Sequence, residues 1–403
     1  MKVAVIGGGA AGFFCAINAK ENYPESEVVL FEKSSKLLAK VKISGGGRCN
    51  VTNAAESIAE LSKAYPRGEK FLRKAFHQYD NHQLMQWFEA RGVALVTQED
   101  NCVFPRSQDS QTIIDCFLTQ AKKWGIEIKT SMPVTALSQA GDQIKLDFPE
   151  GSSARIFDKV IIATGGSPKK EGLLWLEKLG HKIEDPLPSL FTFNMPREDI
   201  RSLMGIVIEN TKVSIQGTKL RSDGPLLITH WGMSGPAILK LSAFGARILA
   251  EKNYHFSLQV NWVDEQNQEA LLDQLTRISL EHSNKILSNF RPFNLPIRLW
   301  LYLIEKSGLA PSKKWSELGK KGLNTLVRVL SNDSYSVEGK TTFKEEFVTC
   351  GGVSLESINT NTMESKVVKN LYFAGEVMDI DGITGGYNFQ AAWTTGFIAG
   401  MLK

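Results

Sequence analysis

Gly7, Gly9 and Gly12 stand at Gly-x-Gly-x-x-Gly spacing between an apolar stretch, KVAVIG, and a stretch of helical texture, GGAAGFFCAINAKE. In a strand–turn–helix unit the first such glycine permits the tight turn. The second lets a pyrophosphate approach the backbone, and the third lets helix pack closely on strand. The helix N-terminus then presents N–H groups and the positive end of its dipole to phosphates. Glu32 closes the next apolar stretch, SEVVLFEK, twenty residues after Gly12. A carboxylate there accepts ribose hydroxyls, and an acid rather than an arginine suits an unphosphorylated adenosine ribose, as in FAD or NAD. The combination predicts a dinucleotide site rather than a merely tight turn.

A second chemistry-bearing run is KISGGGRCNVTN at 42–53. Phosphate, metal, glycan and redox disulfide are all open at first sight. The five cysteines, at 15, 49, 102, 116 and 350, are odd in number and unpaired in spacing, which argues against a secreted disulfide framework. Neither CxxC nor a His/Cys cluster at zinc spacing occurs, so no metal is expected. MKVAVIGGG faintly imitates a signal peptide, but its glycines arrive too early for an h-region. No apolar run approaches the roughly 18–20 residues of a membrane span. A cytoplasmic protein with no membrane partner is expected, so the sequon at Asn50 carries no glycan. Phosphate contact is left for the loop. Its glycines allow close approach, Arg48 can donate to a pyrophosphate oxygen, and Asn50 offers amide groups. Cys49 has no resolving cysteine at CxxxxC spacing, which disfavours a disulfide reductase.

These residues need a scaffold. At 403 residues, 42% of them hydrophobic and 22% charged, the chain can bury the cores of two or three domains. The opening strand–helix–strand unit is followed by helical pattern at 69–91, stopped by Gly92, and at about 111–124. Short alternating segments from 126 to 157 suggest an antiparallel excursion, after which VIIATGG returns to a central sheet. Texture changes after Pro186 and Pro188, becoming β-like over 191–262 and mainly helical over 263–341. The expected architecture is a discontinuous α/β, Rossmann-like domain made of 1–190 and 342–403. A β-rich, barrel-like domain (191–262) and a helical domain (263–341) are inserted into it.

Two further runs favour FAD over NAD. ATGG (163–166) ends a buried strand, and NLYFAGEVMDIDGITGGYNFQAAWTTGFIAG (370–400) repeats the strand-into-glycine theme before a helix. The N-terminus of that helix can face the negative N1/O2 edge of a flavin. With KISGGGRCNVTN and THWGMSGPAIL (229–239), these motifs resemble the BaiN-like (YhiN-type) FAD-dependent oxidoreductases from Met1 to the C-terminus. Trp231 stands where that family usually carries Tyr or Phe. The resemblance implies a cofactor shell of Gly9, Ala11, Glu32, Lys33, Arg48, Asn50, Val134, Thr164, Gly375, Glu376 and the turn Gly385, Gly386, Tyr387, Asn388, Phe389, Gln390. In it Glu376 bonds the ribityl chain, Val134 touches adenine through its backbone, and Asn388 and Phe389 sit near the isoalloxazine.

No second Gly-x-Gly-x-x-Gly exists, so NADH or NADPH would visit the flavin transiently as a small-molecule electron donor. His230 and then Tyr387 are the candidate proton donors. The resemblance points to reduction of uridine to dihydrouridine in 23S ribosomal RNA, reduction of a steroid-like enone, or oxidation of a small amine. Residues 191–340 carry 19 Lys+Arg against 14 Asp+Glu within a chain of net charge +4, which tilts the expectation towards RNA. A non-redox FAD-holding or RNA-associated protein is the remaining class.

Overall fold

A computed structural model describes residues 1–265, 267–341 and 348–403. The expected return to the first domain at 342 lies outside the described residues. The chain divides into two compact units, Met1–Ser189 with Phe343–Lys403, and Leu190–Thr342.

The first unit opens with β1 (Lys2–Ile6), α1 (Ala10–Asn22) and β2 (Glu27–Phe31). Further on come α2 (Glu69–Phe76), α3 (Asn81–Glu89), β3 (Glu127–Lys129) and β4 (Lys159–Ile162). The far end of the chain adds β5 (Leu371–Phe373) and α4 (Tyr387–Gly400). The strands form a sheet of order β5-β4-β1-β2-β3, with every pair parallel. β1, β2, β4 and β5 are buried almost without a polar break, as parallel strands covered on both faces must be, while the edge strand β3 is partly exposed. The connections leave β1 towards β2 on one side and β4 lies on the other, which puts the switch point of the sheet at the end of β1.

α1 is buried over most of its length and lies against α4. Gly396 and Gly400 permit that closeness: a Cβ on either would come within 3.1 Å or less of the α1 backbone or the Asn18 side chain. The helical pattern at 69–91 is two helices. Asp80 interrupts it with a capping box, its carboxylate accepting from Gln83 N–H at 2.9 Å while the Gln83 side chain accepts from Asp80 N–H at 3.0 Å.

In the second unit, seven antiparallel strands run from Asp333–Glu338 at one edge to Lys340–Thr341 at the other. Gly339 alone separates these edge strands in sequence, so the sheet curls until its edges meet. Residues from 191–262 and from 263–341 enter one hydrophobic cluster, Leu258 and Val260 with Leu271, Leu326 and Leu330 among them. Among the described residues no helix is long and apolar enough to cross a membrane.

Candidate functional site: a cradle at the carboxyl edge of the parallel sheet

Register places the chemistry. Ile6 pairs with Phe31 on one side and Ile162 on the other, and Ile162 pairs with Phe373. The residues that follow these strand ends, Gly7, Glu32, Thr164, Gly375 and Glu376, therefore share one edge of the sheet, where open α/β sheets bind ligands. Gly12 is obligatory there, because a Cβ would stand 1.8 Å from Gly7 O. The α1 N-cap is Gly9, which makes no side-chain cap, and the first turn contains no acid. Space is open beyond Gly9, with no atom of the described residues within 4 Å of where its Cβ would be. Gly375 packs against Ala11, whose Cβ lies 2.9 Å from the place a Cβ on residue 375 would take.

Glu32 is held by backbone: Gly8 N–H and Ser34 N–H donate to its two carboxylate oxygens, each at 2.8 Å. Each oxygen keeps a lone pair for a hydroxyl donor. Met132 N–H donates to Glu32 O at 2.9 Å and brings the loop carrying half-buried Val134 alongside. Lys33 and Thr164 are exposed.

The segment from 38 to 50 runs past three stations. Leu38 N–H donates to Gly8 O at 2.8 Å, at the glycine turn. Lys40 Nζ lies 2.7 Å from Glu376 Oε2, beyond β5. Asn50, with its amide nitrogen donating to the Thr52 and Val103 carbonyls, accepts from Gly386 N–H at 3.1 Å. Gly386 is the N-cap of α4, another first turn without a side-chain cap or an acid. Its φ of 89° and a would-be Cβ 2.5 Å from the Thr52 backbone restrict the position to glycine. The cradle thus joins two bare helix N-termini by way of two carboxylates, which fits a long ligand with an anionic middle and hydroxyl-bearing arms.

Among the described residues, one buried polar atom in it lacks a partner. Thr349 Oγ1 makes no hydrogen bond, although Thr349 N–H donates to Glu376 Oε1 at 2.9 Å. A Cβ on Gly166 would come 2.5 Å from that hydroxyl, so the ATGG turn, Thr349 and Glu376 meet at one point.

The family described as HI0933-like protein, Rossmann domain, matches residues 1–402. The chain belongs to this family. Similar to this HI0933-like chain are a 3-dehydro-bile acid delta(4,6)-reductase of Clostridium scindens, 26% identical over 99% of this chain and 98% of the relative, and a ribosomal RNA dihydrouridine synthase of Escherichia coli, 29% identical over 97% and 95%. Its fold is similar to that of a 3-ketosteroid delta1-dehydrogenase from Sterolibacterium denitrificans, with a TM-score of 0.53, 11% identity, and 99% and 98% of the two chains covered.

Several side chains expected in the HI0933-like site are turned to internal duties. Arg48 stacks on Phe104, its guanidinium 4.2 Å from the ring centre, and donates to Gly45 O at 3.1 Å. Asn388 closes its own turn by accepting from Gly382 N–H at 2.8 Å and donating to Gly382 O at 2.9 Å. Gln390 is fully buried between Thr52 and Thr394. Phe389 stacks on Trp393 with ring centres 5.6 Å apart. Tyr387 is half-buried edge-on to Tyr65, and burial pushes its phenol up to about 12. Cys49 is fully buried with its thiol pushed up to about 12 by desolvation, so no thiolate nucleophile exists there near neutrality. His230 occupies the tip of a tight hairpin in the second unit, where Thr229 N–H donates to Gly232 O at 2.8 Å. It is exposed, with its ring 4.3 Å from that of Trp231.

Sequence reasoning missed three groups. Lys40 and Thr349 carry no motif of their own, although TCGG at 349–352 echoes ATGG at 163–166 and could have drawn attention. The third is the buried ion pair Arg67–Asp381, in which Arg67 Nε donates to Asp381 Oδ1 at 2.5 Å and Ser189 Oγ donates to Oδ2 at 2.6 Å. Burial raises the Asp381 carboxyl pKa while Arg67 pulls it back down.

Proposed function

We propose that this FAD-dependent oxidoreductase saturates an electron-poor C=C bond with NADH or NADPH as transient donor, and that its substrate is a uridine of 23S ribosomal RNA, which becomes dihydrouridine. The observation that carries the redox half of this reading is the cradle along residues 38–50, joining the glycine turn, Glu376 and the N-terminus of α4. Bound FAD would supply hydride transfer at its N5 position.

In this reading the first turn of α1, beginning at Gly9 and Ala11, faces the pyrophosphate. Glu32 takes the adenosine ribose, with the Val134 loop beside the adenine. Glu376 and the unpartnered Thr349 hydroxyl face the polyol arm, with Lys40 holding the Glu376 carboxylate in place. The first turn of α4, Gly386 to Gln390, presents backbone N–H groups to the ring system. Asn50, Asn388 and Gln390 keep that turn rigid through the bonds described above.

In uridine, conjugation to the C4 carbonyl makes C6 the carbon that accepts hydride and C5 the carbon that takes a proton. The chain must therefore present an acid to C5. Tyr387, protonated at neutral pH, is the candidate on the first unit, and His230 is the candidate on the second.

RNA is favoured by the excess of basic residues in 191–340 and by the likeness to a dihydrouridine synthase along nearly the whole chain. Action on ribosomal RNA places the protein in the cytoplasm. The likeness to a delta(4,6)-reductase supports a second reading, a steroid-like enone, because saturation of a conjugated C=C is the same chemistry. The deciding experiment incubates FAD-loaded protein and NAD(P)H with unmodified 23S ribosomal RNA transcript or with a steroidal dienone. Mass spectrometry then follows the gain of two hydrogens. Dihydrouridine supports the first reading, a reduced dienone alone the second, and neither product defeats both.

A further inference from the structure

The exposed face of α2 carries Lys70, Arg73, Lys74 and His77, while Phe71, Leu72, Ala75 and Phe76 are buried beneath it. The spacing of three, one and three residues puts all four basic side chains on one stripe. Glu69 is the one acid of the helix, and it sits in the first turn, where the helix dipole already favours it. Among the described residues none of the four forms an ion pair. Elsewhere in the same unit Lys40, Lys129, Lys145, Lys170 and Lys182 pair with carboxylates, while Lys122, Lys123 and Lys178 are exposed without an ion pair among the described residues but do not form one stripe. Like charges three and four residues apart repel one another on a helix, so this stripe lacks an anion that the chain itself does not provide.

The stripe is also concave. Lys70, Phe71, Arg73, Lys74 and His77, with Thr360 opposite, line an open groove of about 540 Å³. Lys70 and the C-cap His77 are seven positions apart, about 10 Å along the axis, a reach that exceeds a single phosphate group.

The helix is anchored to the cradle. Its N-cap, Gly68, touches Ile380, with a would-be Cβ 2.8 Å from Ile380 Cγ1. The preceding residue, Arg67, pairs with Asp381, and Ile383 N–H donates to Ala64 O at 2.9 Å. Residues 380–383 lead directly into Gly385 and the first turn of α4. Whatever binds the stripe is therefore held in fixed relation to that turn.

We propose that this face of α2 binds the phosphodiester backbone of the RNA substrate, an inference that rests on the RNA reading above. Its test measures binding of unmodified 23S ribosomal RNA transcript to FAD-loaded protein over a series of KCl concentrations. Three proteins are compared: the native chain, the triple variant Lys70→Ala, Arg73→Ala, Lys74→Ala, and a charge-matched control, Lys122→Ala, Lys123→Ala, Lys178→Ala, at other exposed lysines. Each lost phosphate contact removes roughly 0.7–0.9 from the slope of log affinity against log salt. The α2 variant is expected to lose about two to three from that slope and at least about tenfold in affinity. The control should match the native chain, and all three should show the same flavin content and thermal midpoint. An α2 variant that binds like the native chain, or a control that weakens equally, overturns the proposal and leaves the RNA reading standing. A native chain that binds no RNA overturns the RNA reading and this inference with it.

Discussion

Lys40 and Glu376, 336 residues apart in sequence, meet at 2.7 Å and fasten the segment 38–50 to the end of β5. The carboxylate is the better buried partner, with 19% of its side chain exposed against 54% for lysine, and it also accepts Thr349 N–H. Removing charge at Glu376 should therefore cost more than removing it at Lys40. Glu376→Gln loses charge-assisted bonds worth roughly 1.5–3 kcal/mol, so FAD should bind less tightly, with Kd raised about tenfold or more. Lys40→Met gives up a partly exposed pair worth no more than about 1 kcal/mol. Fluorescence titration of apoprotein with FAD ranks the two, and equal effects would contradict the assignment.

Arg67 and Asp381 are side chains with 11% and no exposure. Removing one member leaves an uncompensated buried charge, a loss of about 3–5 kcal/mol. Asp381→Leu and Arg67→Met should each lower the urea midpoint sharply. The double variant Arg67→Met, Asp381→Leu should recover much of the loss, because it leaves neither charge behind. A double variant as unstable as the sum of the singles would show that the pair is not acting as a unit.

His181 gives the fold an acid limit. Its ring nitrogens lie 3.1 Å from Leu176 O and 2.7 Å from Ser365 Oγ, and burial holds its pKa below the ordinary 6.5. As pH falls below 6.5 the unfolded chain takes up this proton first, so it binds more protons than the folded chain and stability declines. The contribution is fully present above 6.5 and is lost as pH falls through the depressed folded value. Urea midpoints should drop between about pH 7 and pH 5, and His181→Gln should flatten that drop. An unchanged slope in the variant would assign the acid limit to other groups.

Cys49 lies within the segment 38–50 yet should be chemically silent. With the thiol pushed up to about 12 and buried, iodoacetamide should leave it unmodified in the folded protein at pH 8. Cys49→Ala should retain flavin and the full rate of flavin reduction. A loss of more than about tenfold in that rate would restore a catalytic role.

Much of this was legible because backbone requirements leave marks in sequence. Gly12 and Gly386 are positions where only a missing Cβ fits, and Glu32 lies at a fixed distance from the first of them. The register that sets Gly7, Thr164 and Gly375 side by side could be expected from three strand-into-glycine runs. The duties of Asn50, Asn388 and Gln390 were not legible, since an amide near a turn bonds ligand or backbone equally well until the turn's shape is known. Lys40–Glu376 and Arg67–Asp381 were hidden for another reason: each joins residues more than 300 apart, and neither partner has local spacing that marks it. The two helices within 69–91 were missed because the apolar period runs on past Phe76, where the first helix ends, and through Asp80, whose capping box starts the next.

The most direct test of the central claim is anaerobic stopped-flow mixing of the FAD-loaded protein with NADH or NADPH, following flavin absorbance near about 450 nm, the band that hydride uptake bleaches. The reduced protein is then mixed with unmodified 23S ribosomal RNA. Rapid bleaching by one nucleotide, followed by reoxidation that RNA accelerates at least about tenfold, is the predicted result. A flavin that neither nucleotide bleaches, or one whose reoxidation ignores RNA and steroidal dienone alike, would contradict a C=C reductase.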